Sequence, residues 1–424
     1  MAKLMVSDTS LTAIADAIRE KSGTSDPLVF PEGFTNAITG ITAGAPADVA
    51  EKDVNFYDYD GTRLYSYTLE EAQALTALPA LPSREGLVCQ EWNYTLEAVN
   101  ALTRATDVGA TYITDDGATR LYIIIPDDAH LTVSLCYNSD GSVVIDWGDG
   151  SDPETYTQGG VKSHNYSAPG DYMISMALSG DSTWYSLGNG DDRGPLGAIY
   201  GTGLIYQNML KKLHIGQGVQ TFGYYTFKNC TGLEEITLPN TIQVMQTAVF
   251  ENCYSLRCVV FSTSMTFVPD NTFEACGSLE RMIMPYNATG VGDGSFRYCT
   301  ALHPVTLPDG AVFGTEAFRG CRRMERIVVP STSEFVNSDF AYCQSAGTVT
   351  VLSSFNYIYS LAFAYCYGVA YYDFTACTAV PTLENVDAFK GIPSACEIRV
   401  PSTLVDEWKA AANWADLASQ IVGV

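Results

Sequence analysis

The chain contains few charged residues for its length, and most of them are acidic. Only 17% of its 424 residues are charged, and 23 Lys and Arg stand against 48 Asp and Glu, which gives a net charge of −25. Sequence-independent binding of nucleic acid needs a basic surface that displaces phosphate counterions. The composition therefore argues against a nonspecific nucleic-acid binder, and it disfavours docking on a bare anionic membrane.

Long hydrophobic runs are also missing. The first eight residues contain only three consecutive apolar residues before charge returns, far fewer than a secretory signal requires. Later runs such as Leu121 to Pro126 are too short to cross a bilayer, and Gln420 to Val424 carries no anchor pattern. We therefore expect neither an export signal nor membrane insertion.

Motifs for catalysis and metal binding are absent as well. The sequence contains no HExxH, Gly-x-Ser-x-Gly, Cys-x-x-Cys or glycine-rich phosphate loop, and its four histidines are scattered. Acidic pairs leave glycoside cleavage open as an alternative, although adjacent acids point to opposite faces of a strand. These pairs are Glu234/Glu235, Asp191/Asp192 and Asp127/Asp128. We expect a non-enzymatic protein that needs no cofactor and no metal.

The second half of the chain carries a regular repeat. Seven Phe-x-x-Cys pairs recur every 22 or 23 residues: Phe227/Cys230, Phe250/Cys253, Phe273/Cys276, Phe296/Cys299, Phe318/Cys321, Phe340/Cys343 and Phe363/Cys366. A period of this length is typical of a solenoid, in which each repeat leaves an apolar face that its neighbours cover. We therefore expect this half to present a surface rather than a pocket.

Each pair is followed by a pattern that predicts one short strand per repeat. The pattern reads Leu-x-x-Ile-x-Leu-Pro, as in Leu233 to Pro239, and it is weakest between Ala346 and Tyr359. Alternating apolar residues indicate a strand with one face inward, and the proline ends it. The residue after each Phe is expected to face water. Side chains stacked in parallel keep their Cβ atoms too far apart for disulfides, so we expect free, buried thiols.

The repeat resembles the BspA-type leucine-rich repeats that occur in bacterial surface proteins and phage structural proteins, because its period, its Phe and Cys positions and its predicted strand all agree with them. The resemblance covers roughly residues 210–424 and implies a solenoid. Pro401 begins an amphipathic pattern that places Leu404, Trp408, Ala411 and Ala412 toward one side. We expect this segment to form a helical cap over the last coil.

A different motif lies between Ser142 and Met176. The segments VVIDWGDGS and SHNYSAPGDYMIS resemble the PKD domain, a β-sandwich of the immunoglobulin-like kind. The resemblance implies structural roles for Trp147, Asp149, His164, Tyr166 and Tyr172. In such domains the aspartates bond turn amides, so Asp146, Asp149 and Asp152 are expected to build turns rather than to bind calcium.

The N-terminal part contains a leader and two predicted hairpins. The segment from Leu11 to Ile41 resembles a leader seen in tail-associated proteins of phages and prophages of Gram-positive bacteria, where it implies either docking or a cap for the next domain. The turn pairs Asp60-Gly61 and Asp116-Gly117 predict hairpins over Phe56 to Thr68 and Tyr112 to Ile125.

The predicted fold is therefore multidomain and mainly β. We expect an N-terminal helical leader for attachment at 1–45, a small α+β domain at 46–118 and a PKD-like immunoglobulin-type β-sandwich at 119–200. A BspA-type leucine-rich repeat solenoid at 201–399 and a C-terminal helical cap at 400–424 complete the chain.

The favoured function is that of a phage or prophage virion protein, a tail fibre or receptor-binding protein made in the host cytoplasm and released by lysis. Its N-terminal region would contact other virion proteins and its repeats a host surface glycan or protein; homo-oligomerisation stays open. The alternatives are a structural virion component, a tail-associated glycan depolymerase and a bacterial surface adhesin. Candidate binding residues are Tyr254, Tyr298, Tyr342, Tyr365, Tyr367, Arg257, Arg281 and Arg326. Packing inside the solenoid is the competing explanation for these tyrosines.

Overall fold

The computed structural model describes residues 51–180, 183, 185–187, 199–200, 208–330 and 338–424. The leader resemblance at Leu11 to Ile41 lies outside the described residues. The fold is mainly β and ends in a solenoid, as predicted. Within the described residues the α-helices are short: α1 (Leu69–Gln73), α2 (Leu96–Asn100) and α3 (Val405–Ala410).

The small N-terminal domain is built on a four-stranded sheet. Its strands are β1 (Val54–Tyr57), β2 (Arg63–Tyr67), β3 (Leu87–Trp92) and β4 (Thr106–Thr114), in the order β2-β1-β4-β3. Strands β1 and β2 form the predicted antiparallel hairpin, with Gly61 at φ 87° in its turn. The helices α1 and α2 are both N-capped by a threonine side chain. Phe56, Trp92 and Tyr112 lie in a core of this domain's own.

Two sheets form the next unit. Its strands are β5 (Thr119–Ile125), β6 (Thr132–Ser139), β7 (Ser142–Asp146), β8 (Glu154–Tyr156), β9 (Gly160–Asn165), β10 (Gly170–Ser179), β11 (Tyr185–Leu187) and β12 (Ile199–Tyr200). The hairpin predicted around Asp116-Gly117 is wrong, because β4 pairs with β1 and β3 whereas β5 pairs with β10 and β13. The turn forms, but the strands on its two sides enter different sheets.

The residues of the Trp-Gly-Asp-Gly-Ser segment gather around His164. The ring of Trp147 stacks on His164 at 5.0 Å, and the Tyr166 hydroxyl donates to the Trp147 carbonyl at 2.8 Å. A carboxylate oxygen of Asp149 lies 2.8 Å from Nε2 of His164, and the other accepts from the amide of Ser151. These contacts fix the loop after β7 against β9.

The solenoid carries two ladders of short parallel strands. The first ladder contains β13 (Leu210–His214), β15 (Glu235–Ile236), β17 (Cys258–Val260), β19 (Arg281–Ile283), β22 (Arg326–Val329), β23 (Thr348–Val351), β25 (Tyr371–Asp373), β27 (Glu397–Val400) and β28 (Ile421–Gly423). The second contains β14 (Val219–Phe222), β16 (Val244–Met245), β18 (Phe267–Val268), β20 (Gly290–Val291), β21 (Val312–Phe313), β24 (Tyr357–Ile358) and β26 (Thr382–Leu383).

The two sheets of this unit form a sandwich around a shared core, and both sheets continue into the solenoid. Strand β13 pairs with β5 on one side and with β15 on the other, and β14 pairs with β11 and β16. One hydrophobic core continues from Leu121 to Ile421. The sandwich therefore covers the apolar N-terminal edge that the first coil would otherwise expose.

The repeated Phe and Cys build the turn side of every coil. Consecutive Phe rings, from Phe227 to Phe389, stack with centroids 5.3–5.9 Å apart. All twelve cysteines are free, and each ladder thiol from Cys253 to Cys366 donates to the Phe carbonyl of the preceding coil at 3.0–3.4 Å. The thiols thus satisfy a backbone acceptor in addition to filling space.

The C-terminal segment covers the last coil. Trp408 of α3 and Trp414 are fully buried, with ring centroids 4.5 Å apart, and Trp408 packs on Phe374 at 5.5 Å. Strand β28 then adds to β27 in parallel. The helix is shorter than the amphipathic pattern predicted, since it spans only Val405–Ala410 and a 3-10 turn at Trp414–Leu417 follows it.

Candidate binding surfaces on the solenoid

The outward face of the first ladder is divided into a covered and an open part. Strands β22 and β23 alternate between partly or fully exposed outward residues and buried inward residues. In β17 all three residues are buried, because the small domain lies against its outward side. Tyr57 of that domain packs with Cys258, Val260 and Ile283 in a cluster separate from the main core.

A buried amide holds this contact together. Nδ2 of Asn93 donates to the carbonyls of Phe261 at 3.0 Å and Ile283 at 3.3 Å, and its Oδ1 accepts from the amide of Gly109 at 2.8 Å. Gly109 has no room for a side chain, because a Cβ there would come within 2.3 Å of a Val260 methyl group. The small domain therefore sits on the coils in one close-fitting position.

Charged residues surround the apolar contact. The guanidinium of Arg281 lies 3.3 Å from a carboxylate oxygen of Asp107 and 4.3 Å from the centroid of the Tyr57 ring. Arg104 bonds to the Leu307 carbonyl at 2.6 Å and to Asp309 at 3.1 Å. Arg281, predicted as a binding residue, is thus engaged in the domain contact.

A cleft of ≈ 580 Å³ remains between the small domain and the coils. The coils contribute Arg281, His303, Thr306, Glu325 and Arg326, and the small domain lines the opposite side. That opposite side is formed by Glu51, Lys52, Asp53, Asn55, Ala105, Thr106 and Asp107. The repeat half alone was expected to form a surface, whereas the docked domain turns part of that surface into one wall of a pocket.

Burial changes the titration of two groups in the cleft. It raises the pKa of the Asp107 carboxyl, while the Arg281 guanidinium acts in the opposite direction. Burial also lowers the pKa of His303, and the charges of Arg281 and Arg323 lower it further. The His303 imidazole is consequently neutral near pH 7 and can donate or accept a hydrogen bond.

The open part of the strand face begins at Arg326. Outward positions of β22, β23, β25 and β27 carry polar or aromatic side chains, among them Thr348, Thr350 and Tyr371. The Arg399 guanidinium lies 3.7 Å from the centroid of the Tyr371 ring and bonds to Glu397 at 2.8 Å. This face continues directly from the cleft, because Arg326 belongs to both.

The five candidate tyrosines lie beside the ladder cysteines, on the turn side of the coils. Tyr254, Tyr298 and Tyr367 are exposed by 49%, 47% and 53%, so they are not core residues. Tyr342 and Tyr365 stack at 4.6 Å, and Tyr365 meets Tyr367 edge-on at 6.2 Å. Tyr298, Tyr342, Tyr365 and Tyr367 are called the tyrosine edge below.

Backbone geometry positions this edge. Two residues after each repeat Phe the chain adopts a left-handed conformation, with φ 63° at Tyr298, Tyr342 and Tyr365. Gly320 occupies this position between Tyr298 and Tyr342, and a Cβ there would lie 2.8 Å from the Tyr298 ring. The ring therefore lies over the glycine of the next coil. The candidate residues Arg281 and Arg326 lie on strands instead, and Arg257 directly precedes β17, so the two predicted sets do not form one site.

The positions after the Phe residues were expected to face water, but several form a partly buried ion-pair ladder. Lys228 pairs with Glu251 at 2.7 Å, and Arg297 pairs with Glu274 and Glu316 at 2.7 Å each. Side chains in this ladder are 17–30% exposed. Ion pairs as well as apolar contacts therefore join neighbouring coils.

Asp146 and Asp149 build the turns in which they lie. The carboxylates of Asp146 and Asp149 accept from turn amides two residues later.

Within the described ranges no three His, Cys, Asp or Glu side chains come together as a possible metal site. In the part of the chain that the structure describes, every helix is too short or too polar to cross a membrane.

Comparison with known families agrees with the repeat architecture. Residues 201–325 and 311–406 match the family profile of the BspA type leucine rich repeat region, with six copies. The repeat domain is therefore a BspA-type leucine-rich repeat domain. A comparison with curated proteins found no match.

Three solved structures that resemble the chain are leucine-rich repeat proteins. A leucine-rich repeat protein from Bacteroides ovatus is 19% identical, with a TM-score of 0.37, over 53% of this chain and 63% of that one. A leucine-rich repeat protein from T. pallidum is 16% identical over 51% of this chain and 86% of its own, with a TM-score of 0.30. A leucine-rich cell surface protein from Faecalibacterium prausnitzii is 16% identical over 54% and 87%, with a TM-score of 0.28.

Proposed function

We propose that this chain is a non-enzymatic recognition protein that binds a cell surface through its leucine-rich repeat solenoid. The tyrosine edge carries the proposal, because it presents stacked and exposed rings that the core does not use. Tyrosine supplies rigid, amphipathic contact area at a low entropy cost, and its ring can stack on a flat ligand face while its hydroxyl bonds to polar groups. A surface glycan fits this chemistry.

The carrier of this activity is proposed to be a phage or prophage particle, with the N-terminal region attached to other virion proteins and release by lysis of the host. The support is the leader-like sequence from Leu11 to Ile41 and the PKD-like motif around Trp147. A bacterial surface adhesin is the second proposal, and it is supported by the match of residues 201–406 to the BspA-type profile. Immunodetection of the protein in purified lysate particles or on intact producer cells separates the two.

Binding of the labelled full-length protein to intact Gram-positive cells tests recognition. The full chain is required, because β13 completes the sheet of β5 and a cut before the first coil would expose both. A variant with Ser at the four positions of the tyrosine edge should lose most of the binding. The matched control is Phe267→Ser, which removes a ring that is 41% exposed on the second ladder.

Equal binding of the tyrosine-edge variant and the wild type would refute the role of this edge. Release of reducing sugar from host wall polysaccharide by the purified protein would instead favour a depolymerase. Absence of cell binding by wild-type protein that is present in particles would leave the structural-component alternative.

A further inference from the structure

The cleft between the small domain and the coils has the size and construction of a ligand site. Its ≈ 580 Å³ lies within the range of about 300–1,000 Å³ that is usual for small-molecule pockets. Both walls are fixed, one by the sheet ladder and the other by the Asn93 hydrogen bonds and the close approach of Gly109 to Val260. Such a pocket needs little reorganisation before it binds.

Most charges of the small-domain wall already have partners. Asp107 pairs with Arg281, Glu51 with Arg63 at 2.9 Å and Lys52 with Glu71 at 2.7 Å. Asp53 accepts from the amide of Leu69 at 2.9 Å. These contacts leave the polar selectivity of the cleft to the coil wall.

The coil wall carries an exposed guanidinium, that of Arg326, whose charge also acts on the Asp107 carboxylate across the cleft. Among the described residues Arg326 makes no ion pair, although it lines the cleft and is exposed. Around His303, Arg281 and Arg323 add positive charge, and Glu325 and Glu280 add negative charge. In a chain of net charge −25, the exposed Arg326 guanidinium offers an anionic ligand a group of opposite charge in this cleft.

We infer that the cleft binds an anionic saccharide unit, whose carboxylate or phosphate group pairs with Arg326 while its hydroxyl groups bond to the polar lining. An arginine presents a planar fork that binds either anion through two parallel hydrogen bonds. Thr306 and the neutral His303 offer the hydroxyl and imidazole groups that bond to sugar hydroxyls. The remaining units of a longer chain would lie on the open strand face beyond Arg326.

This inference rests on the proposed function, since it takes the ligand to be a carbohydrate of the recognised surface. The cleft inference and the proposed function can fail separately. Cell binding by the tyrosine-edge variant tests the edge, whereas binding of a soluble oligosaccharide by Arg326 variants tests the cleft.

The test uses isothermal titration calorimetry on the full-length protein with three probes. They are a hexamer of glucuronic acid, a hexamer of glucose 1-phosphate units and neutral cellohexaose. Binding of at least one anionic hexamer is expected, with cellohexaose at least tenfold weaker. Arg326→Gln should weaken the anionic ligand by about tenfold or more, which corresponds to a charge-assisted hydrogen bond. Arg322→Gln is the matched control, because Arg322 is an exposed arginine of the same coil that does not line the cleft, and this variant is expected to leave affinity unchanged.

Two further variants test the charge preference of the cleft and the need for a docked small domain. Glu325→Gln removes a negative charge from the same wall and should tighten anionic binding by about twofold. Gly109→Ala should abolish binding by displacing the small domain, and the double variant with Val260→Ala should restore it. Equal affinity for cellohexaose, no binding of any hexamer or an Arg326→Gln variant with unchanged affinity would each overturn the inference. Such a result would leave cell binding through the tyrosine edge untouched.

Discussion

Asn93 is the residue whose removal tests the arrangement of the small domain most directly. Its side chain is fully buried and makes three hydrogen bonds, two to carbonyls of the coils and one from the amide of Gly109. In Asn93→Ala, Ile283 keeps a donor, because its carbonyl also accepts from the amide of Phe261 at 3.0 Å. The Phe261 carbonyl and the Gly109 amide lose the partners that Asn93 provided.

The cost of the substitution follows from these two groups. A buried polar group left without a partner costs about 1–3 kcal/mol. The two groups together should therefore cost about 3 kcal/mol of docking free energy. Since about 1.4 kcal/mol corresponds to a factor of ten, the population of undocked small domain should rise by roughly a hundredfold.

Cys258 reports this population without any added probe on the protein surface. It is 4% exposed, lies in the contact with Tyr57 and faces the Gly61 turn, so undocking uncovers it. Its rate of alkylation, measured by peptide mass spectrometry, should rise by roughly a hundredfold in Asn93→Ala. Cys276 lies inside the coils at 0% exposure and should stay protected in both proteins.

The control for this experiment is Asn100→Ala. Asn100 bonds only to the Leu75 carbonyl, within the small domain and at its surface. This variant should leave the Cys258 rate at the wild-type value. An unchanged Cys258 rate in Asn93→Ala would refute the view that the amide holds the domain on the coils, and loss of Cys276 protection would indicate unfolding of the solenoid instead.

Three further results are expected. Gly109→Ala should expose Cys258 to alkylation, and addition of Val260→Ala should reverse this, because the new Cβ collides with the Val260 methyl groups. Burial, with the charges of Lys212 and Arg120, lowers the pKa of His214 to about 4, so the folded state resists a proton that the unfolded chain binds near pH 6.5. Stability in urea should therefore fall as the pH drops from about 6.5 to about 4, and His214→Phe should lack that loss. Trp408→Ala should cost about 3–5 kcal/mol in urea unfolding by opening the C-terminal cap, and a stable, monodisperse variant would argue against this role.

The solenoid could be predicted from sequence because its stabilising contacts recur along the chain. Phe and Cys return every 22 or 23 residues, and each ring stacks on the next. The small domain's position could not be predicted in the same way, since it depends on single contacts between distant residues. A signal was present nonetheless: the outward positions Val260 and Ile283 are apolar, which marks a strand face that another element covers.

Turn chemistry identified local geometry but not strand partners. Gly61 and Gly117 both have positive φ, as their Asp-Gly pairs predict. Only the first turn joins paired strands, because the partners of β4 and β5 come from elsewhere in the chain. Which strands pair depends on residues that are distant in the sequence, so the residues around a turn do not determine it.

The outward strand face of the solenoid is divided into a covered part and an open part, and this division favours the later coils for the proposed recognition. On the early coils the outward positions are committed to the small domain, with Cys258, Val260 and Ile283 buried under it. On the later coils the equivalent positions carry Thr348 and Tyr371, which are half-exposed and polar or aromatic. An apolar face can hold a permanent neighbour, whereas a face of hydroxyls and aromatic rings remains stable in water and can exchange ligands. The docked domain thus stabilises one half of the solenoid, and the ligand selectivity that we propose falls to the half that begins at the cleft.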